Sequence, residues 1–127
     1  MIPIKILIVE DEAISSRALK YIVERLGCTV VGVVDTGEAA IREAAEHRPD
    51  LILMDTRLRT RMTGVEAANS IWQQFRIRSV FITAHSAAEL EKDYRGASPF
   101  ILLQKPVLEK ELEQLITQLF DLNILNS

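Results

Sequence analysis

Five short apolar runs constrain this chain more than anything else in it: Ile6-Leu7-Ile8-Val9, Val30-Val31-Gly32-Val33-Val34, Leu51-Ile52-Leu53-Met54, Val80-Phe81-Ile82 and Phe100-Ile101-Leu102-Leu103. Each is largely continuous rather than alternating, and mostly aliphatic. A strand covered on both faces needs apolar side chains at nearly every position, whereas a strand with one wet face alternates. The segments between the runs carry helical spacing instead. In the first, Ile14, Ala18, Ile22 and Leu26 repeat on one face, and Gly27 stands where a C-terminal cap belongs. A second helix is expected from about Gly37 to His47, stopping before Pro49. A third opens at Thr63-Gly64-Val65-Glu66, a capping-box pattern, and continues through Ala68, Ile71, Trp72 and Phe75. A short fourth opens at Ser86-Ala87-Ala88-Glu89 with the same pattern. The fifth starts after Pro106 and carries Leu108, Leu112, Leu115, Ile116 and Leu119 on one stripe. Five alternations predict right-handed βαβ units and an α/β fold, a doubly wound five-stranded parallel sheet with five helices.

A length of 127 residues fits one domain, here 1–127 with a structured core of about 3–122, and Asp121 to Ser127 are expected to fray or lead onward. With 48% hydrophobic residues the chain can bury a core without staples. One cysteine, Cys28 in an apolar stretch, excludes an internal disulfide and reads as a small buried hydrophobe. A net charge of −3 argues against this domain gripping nucleic acid directly. No run approaches the length of a membrane span, and Lys5 and Glu10 break any signal-peptide core. The expectation is a soluble, cytoplasmic protein with no membrane contact.

In an open α/β sheet the functional site lies at the carboxyl ends of the strands. Glu10, Asp11 and Glu12 follow the first run, Asp55 the third, Thr83 the fourth, and Lys105 then Pro106 the fifth. Gathered at one sheet end, Glu10, Asp11 and Asp55 repel one another and raise each other's pKa unless a cation intervenes. A hard divalent cation with oxygen ligands resolves that conflict, and Mg²⁺ is the usual choice beside phosphate. Lys105 pairs with a carboxylate and later with a phosphoryl oxygen, and Thr83 donates a hydroxyl. The set suits phosphoryl transfer onto a carboxylate. Each member has a plainer reading: helix-capping acids for Glu10 and Asp11, a turn former for Asp55, a strand residue for Thr83, a solvated lysine for Lys105. Their coincidence at one sheet end favours the functional reading.

At these residues the chain resembles the receiver domains of two-component response regulators. The matching pieces are Ile8-Val9-Glu10-Asp11-Glu12, Leu51-Ile52-Leu53-Met54-Asp55, Ile82-Thr83-Ala84 and Lys105-Pro106, with Gly64-Val65-Glu66-Ala67-Ala68 opening the third helix. The resemblance implies a flavodoxin-like receiver fold. It implies Asp55 as the phospho-acceptor, Thr83 and Lys105 as phosphoryl-binding residues, and Mg²⁺ held by Glu10, Asp11, Asp55 and the backbone carbonyl of Arg57. The implied donor is a sensor histidine kinase or a histidine phosphotransfer protein. Such a chain catalyses its own phosphorylation and slow dephosphorylation and turns over no free metabolite. It is not an enzyme of the ordinary kind. The family also implies a homodimer or partner face on the fourth helix, fifth strand and fifth helix. The chain is either stand-alone or the receiver part of a longer regulator.

Three departures from the family pattern stand out. The loop from Thr56 to Gly64 lacks a proline and is one residue longer. Leu102 stands where a Tyr or Phe switch is usual, with Phe100 nearby at the same parity. Glu10 replaces the more frequent Asp. Of the loop arginines Arg57, Arg59 and Arg61, Arg57 is expected to shield the phosphoryl group from water, and the others to be solvated. His85 reads as a rim histidine, His47 shows no partner, and Trp72 and Phe75 read as core. A haloacid-dehalogenase-type phosphatase would need an acid at Arg57. A nucleotide binder would need glycines where Glu10-Asp11-Glu12 stand. A receiver-like interaction module that is never phosphorylated is the remaining alternative.

Overall fold

The computed structural model describes residues 3–58, 60–84, 88, 91 and 94–120. Five strands, β1 (Lys5–Val9), β2 (Thr29–Val34), β3 (Leu51–Asp55), β4 (Arg78–Thr83) and β5 (Leu102–Gln104), form one parallel sheet in the order β2-β1-β3-β4-β5. Every residue of β3 is buried, which is why its sequence shows no alternation. Four helices are described: α1 (Ala13–Arg25), α2 (Gly37–His47), α3 (Gly64–Phe75) and α4 (Glu109–Phe120). Alternate strand residues face opposite ways, so two cores form. Leu7, Val9, Ile52, Met54 and Phe81 meet Ala40 and Ala44 of α2 and Ala67, Ala68 and Ile71 of α3. Ile6, Ile8, Leu51, Leu53, Val80 and Ile82 meet Leu19 and Val23 of α1 and Leu112 and Ile116 of α4. The fold is thus the doubly wound sheet expected. The helix expected from Ser86 lies outside the described residues, as do Arg59, His85 and residues 121–127.

Local signals act as their chemistry requires. Thr63 and Glu66 close a full capping box on α3. Gly27 takes φ 84°. Its N–H donates to Glu24 O at 3.1 Å and that of Cys28 to Val23 O at 3.2 Å, a Schellman closure of α1. The register of β1 on β2 slips between Ile6 and Leu7, where Val31 is passed over. There a Cβ on Gly32 would stand 3.3 Å from Leu7 Cδ1.

Some expectations are corrected. The buried face of α1 is Leu19 and Val23 with Ile22 and Leu26 beside them, while Ile14 is 84% exposed and Ala18 is also exposed. The stripe Leu19-Ile22-Val23-Leu26 has the same period as the expected one, and packing against the sheet selects it. Leu108 lies outside α4 and is 57% exposed. β5 begins at Leu102, two residues later than its apolar run. Phe75 joins the first core, but Trp72 is half-buried under the Arg76 guanidinium, 5.1 Å from its ring centroid. His47 has a partner after all, Glu43 at 3.0 Å on the preceding turn.

Candidate functional site

Backbone hydrogen bonds carry the ladder one residue past the strands and fix the loops that bear the site. Glu10 N–H donates to Val34 O at 2.9 Å, Thr56 N–H to Ile82 O at 3.3 Å, and Lys105 N–H to Thr83 O at 2.7 Å. The Lys105–Pro106 peptide bond is cis. Gly64 returns the long loop to the strand end, donating its N–H to Thr56 O at 3.3 Å. A Cβ there would sit 1.8 Å from Asp55 O, so only glycine fits.

These anchors open a cleft of about 330 Å³ lined by Asp11, Glu12, Asp55, Thr56, Arg57, Thr83, Ala84 and Lys105. Asp55 is 6% exposed and Glu10 3%. Lys105 Nζ lies 3.0 Å from Glu10 Oε2 and 3.5 Å from both Asp55 Oδ2 and Glu12 Oε1. The other oxygens are held by backbone amides: Asp55 Oδ1 accepts from Arg57 N–H at 3.0 Å, and Glu10 Oε1 from Glu12 N–H at 3.2 Å. Thr56 Oγ1 donates to Thr83 Oγ1 at 3.2 Å.

Every side chain expected at the site therefore converges there: Glu10, Asp11, Asp55, Thr83 and Lys105, with Arg57 on the rim. Glu12 and Thr56 were not singled out. Glu12 was legible in the acidic run but not its reach to Lys105. Thr56 follows from register, since Asp55 pairs with Ile82 and the next residue of each strand is a threonine. Phe100 does not enter the site. It stacks with Tyr94 and Phe81, at centroid distances of 5.0 and 6.2 Å.

The electrostatics are one-sided. Carboxylate oxygens of Glu10, Asp11, Glu12 and Asp55 lie within 4.8 Å of one another, and Lys105 is the ammonium among them. Burial raises the Glu10 pKa to about 7, the Asp55 charge adds to this, and the Lys105 hydrogen bond opposes it. For Lys105, burial acts to lower the pKa. Its hydrogen bond to Glu10 and the charges of Asp55, Glu10 and Glu12 outweigh that, and its pKa is raised. A buried, under-neutralised set of hard oxygen donors suits a divalent cation such as Mg²⁺.

The chain matches the response regulator receiver domain family over residues 6–117. It belongs to that family. This receiver is 35% identical over 115 residues to the phyllosphere-induced regulator PhyR of Methylorubrum extorquens, covering 90% of this chain and 42% of that one. It spans about half the length of the curated relatives it first matches. It superposes on the receiver domain of a modulated diguanylate cyclase from Desulfovibrio desulfuricans G20 with a TM-score of 0.86 at 32% identity, covering 99% of this chain and 100% of that one. The receiver domain of the sensor histidine kinase PA1611 from Pseudomonas aeruginosa PAO1, solved with magnesium in its active-site cleft, matches at TM-score 0.79 and 27% identity over 92% of this receiver and 97% of that chain. No helix among the described residues of this receiver is long and apolar enough to cross a membrane.

Proposed function

We propose that this receiver takes a phosphoryl group onto Asp55 from a phosphohistidine on a sensor kinase or phosphotransfer protein. The observation that carries the reading is the convergence of Lys105 on Asp55 and Glu10 at the base of a cleft rimmed by Thr83. Glu10, Asp11, Asp55 and the Arg57 carbonyl are the ligands assigned to Mg²⁺, which supplies positive charge to the phosphoryl oxygens when bound. An Asp55 carboxylate oxygen attacks phosphorus. The new O–P bond forms as the donor's P–N bond breaks, and the leaving nitrogen keeps the electron pair and takes a proton from solvent. Lys105 exchanges its ion pair with Asp55 for one with a phosphoryl oxygen, and the Thr83 hydroxyl donates to another. Slow attack of water on phosphorus, hindered by Arg57 at the rim, restores the aspartate and releases phosphate.

The docking surface assigned to the donor is an apolar groove of about 350 Å³ lined by Ile14, Ala18, Ile22, Pro106 and Val107. The groove shares Lys105 with the acceptor cleft, so a donor seated there lies beside Asp55. Output or self-association is assigned to the face of the helix expected from Ser86, β5 and α4.

Intact mass after incubation with acetyl phosphate tests the reading, comparing the wild type and Asp55→Asn with Mg²⁺ and with EDTA. One added phosphoryl group that requires both Asp55 and the metal is expected. A wild-type chain that gains no mass from acetyl phosphate or from phosphohistidine donors favours the interaction module that is never phosphorylated.

A further inference from the structure

We infer that Thr56 is a positioning residue that sets the Thr83 hydroxyl for the incoming phosphoryl group, an inference that rests on Asp55 being the acceptor. Thr56 follows the acceptor directly and is 8% exposed, and Thr83 is buried in the neighbouring strand. The Thr56 hydroxyl donates to Thr83 Oγ1 at 3.2 Å. A hydroxyl has one proton and two lone pairs. A phosphoryl oxygen is the stronger, charged acceptor for the Thr83 proton, so in the phosphorylated chain Thr83 donates to it and accepts from Thr56, and the hydroxyl pair takes that one direction.

The Thr56 backbone is held on both sides. Its N–H donates to Ile82 O, and its carbonyl accepts from Gly64 N–H, each at 3.3 Å. The hydroxyl therefore starts from a fixed point and transmits that fixity to Thr83. The aromatic rings of Tyr94 and Phe100 pack on Phe81, Tyr94 edge-on, two residues before Thr83 in β4, and Leu102 carries no ring. The purely structural alternative is a β-branched residue filling a strand end. It explains the methyl of Thr56 but assigns nothing to its hydroxyl.

Four variants separate the two: Thr56→Val, which keeps the shape and removes the hydroxyl; Thr56→Ser, which keeps the hydroxyl; Thr83→Ala; and Thr56→Val with Thr83→Ala. Rates of Asp55 phosphorylation by acetyl phosphate at saturating Mg²⁺ are read alongside Mg²⁺ affinity by calorimetry and urea midpoints. Thr56→Val is expected to slow phosphorylation about three- to tenfold, the worth of one neutral hydrogen bond. Mg²⁺ affinity stays within about twofold, Thr56→Ser restores the rate, and the Val change has no further effect on Thr83→Ala. Should Thr56→Val unfold, Thr56→Ala replaces it. A wild-type rate in the hydroxyl-free variant, or an equal slowing on the Thr83→Ala background, overturns the inference while leaving Asp55 as acceptor. A wild-type chain never phosphorylated at Asp55 overturns the underlying reading, and this inference with it.

Discussion

At the level of single residues, Glu10 adds a pH dependence to the stability of the metal-free protein. Its ordinary value is 4.5, and in the fold burial and Asp55 raise it to about 7. Between those values the folded chain holds a proton that the unfolded chain has lost, so stability falls as pH rises through that window. Urea unfolding in EDTA at pH 5 and pH 7.5 is expected to show the higher midpoint at pH 5, with the difference shrinking in Glu10→Gln. Equal midpoints in the wild type would contradict the raised pKa. Glu10, Asp11, Asp55, Thr83 and Lys105 were readable from the sequence because each lies within two residues of the end of an apolar run, and strand ends in such a sheet share one rim. Thr56 was not, because its role depends on the β3-β4 register, which no single strand specifies.

At the level of elements, the two ends of α1 do different work. Its C-terminus is closed by Gly27 at φ 84°, with open space where a Cβ would stand. Gly27→Ala meets no clash, only the left-handed backbone penalty of about 1 kcal/mol, and should lower the urea midpoint with its slope unchanged. Its N-terminal half exposes Ile14 and Ala18 beside Pro106 and Val107. Ile14→Lys is expected to slow transfer from a phosphohistidine donor at least about tenfold, the loss of one buried aliphatic contact, and to leave acetyl phosphate labelling unchanged. Equal slowing with both donors would place the defect in the acceptor site instead. The periodicity of α1 was legible but its phase was not. Two apolar stripes, Ile14-Ala18 and Leu19-Val23, share one helix, and only the sheet beneath decides which is core and which stays open.

At the level of the whole molecule, binding a cation between the ends of β1 and β3 links the site to global stability. With Mg²⁺ at about a hundredfold over its Kd, mass action adds about 2.7 kcal/mol. The melting temperature should therefore rise with Mg²⁺ in the wild type and stay flat in a chain carrying Glu10→Gln and Asp11→Asn. The order of strands and helices was visible in the sequence because continuous apolar runs and helical repeats differ in period. The bulge at Val31 and the late start of β5 were not, since both arise from fitting neighbouring strands together. The loop after Asp55 is clamped at its two ends, by Thr56 on Ile82 and by Gly64 against the Asp55 carbonyl. Between those clamps Leu58 and Met62 pack against the first core and the Thr60 hydroxyl donates to Glu38 Oε1 at 3.2 Å. That makes the exposed Arg61 a place for a single fluorophore attachment point, on the loop that follows the acceptor and between contacts that stay as they are.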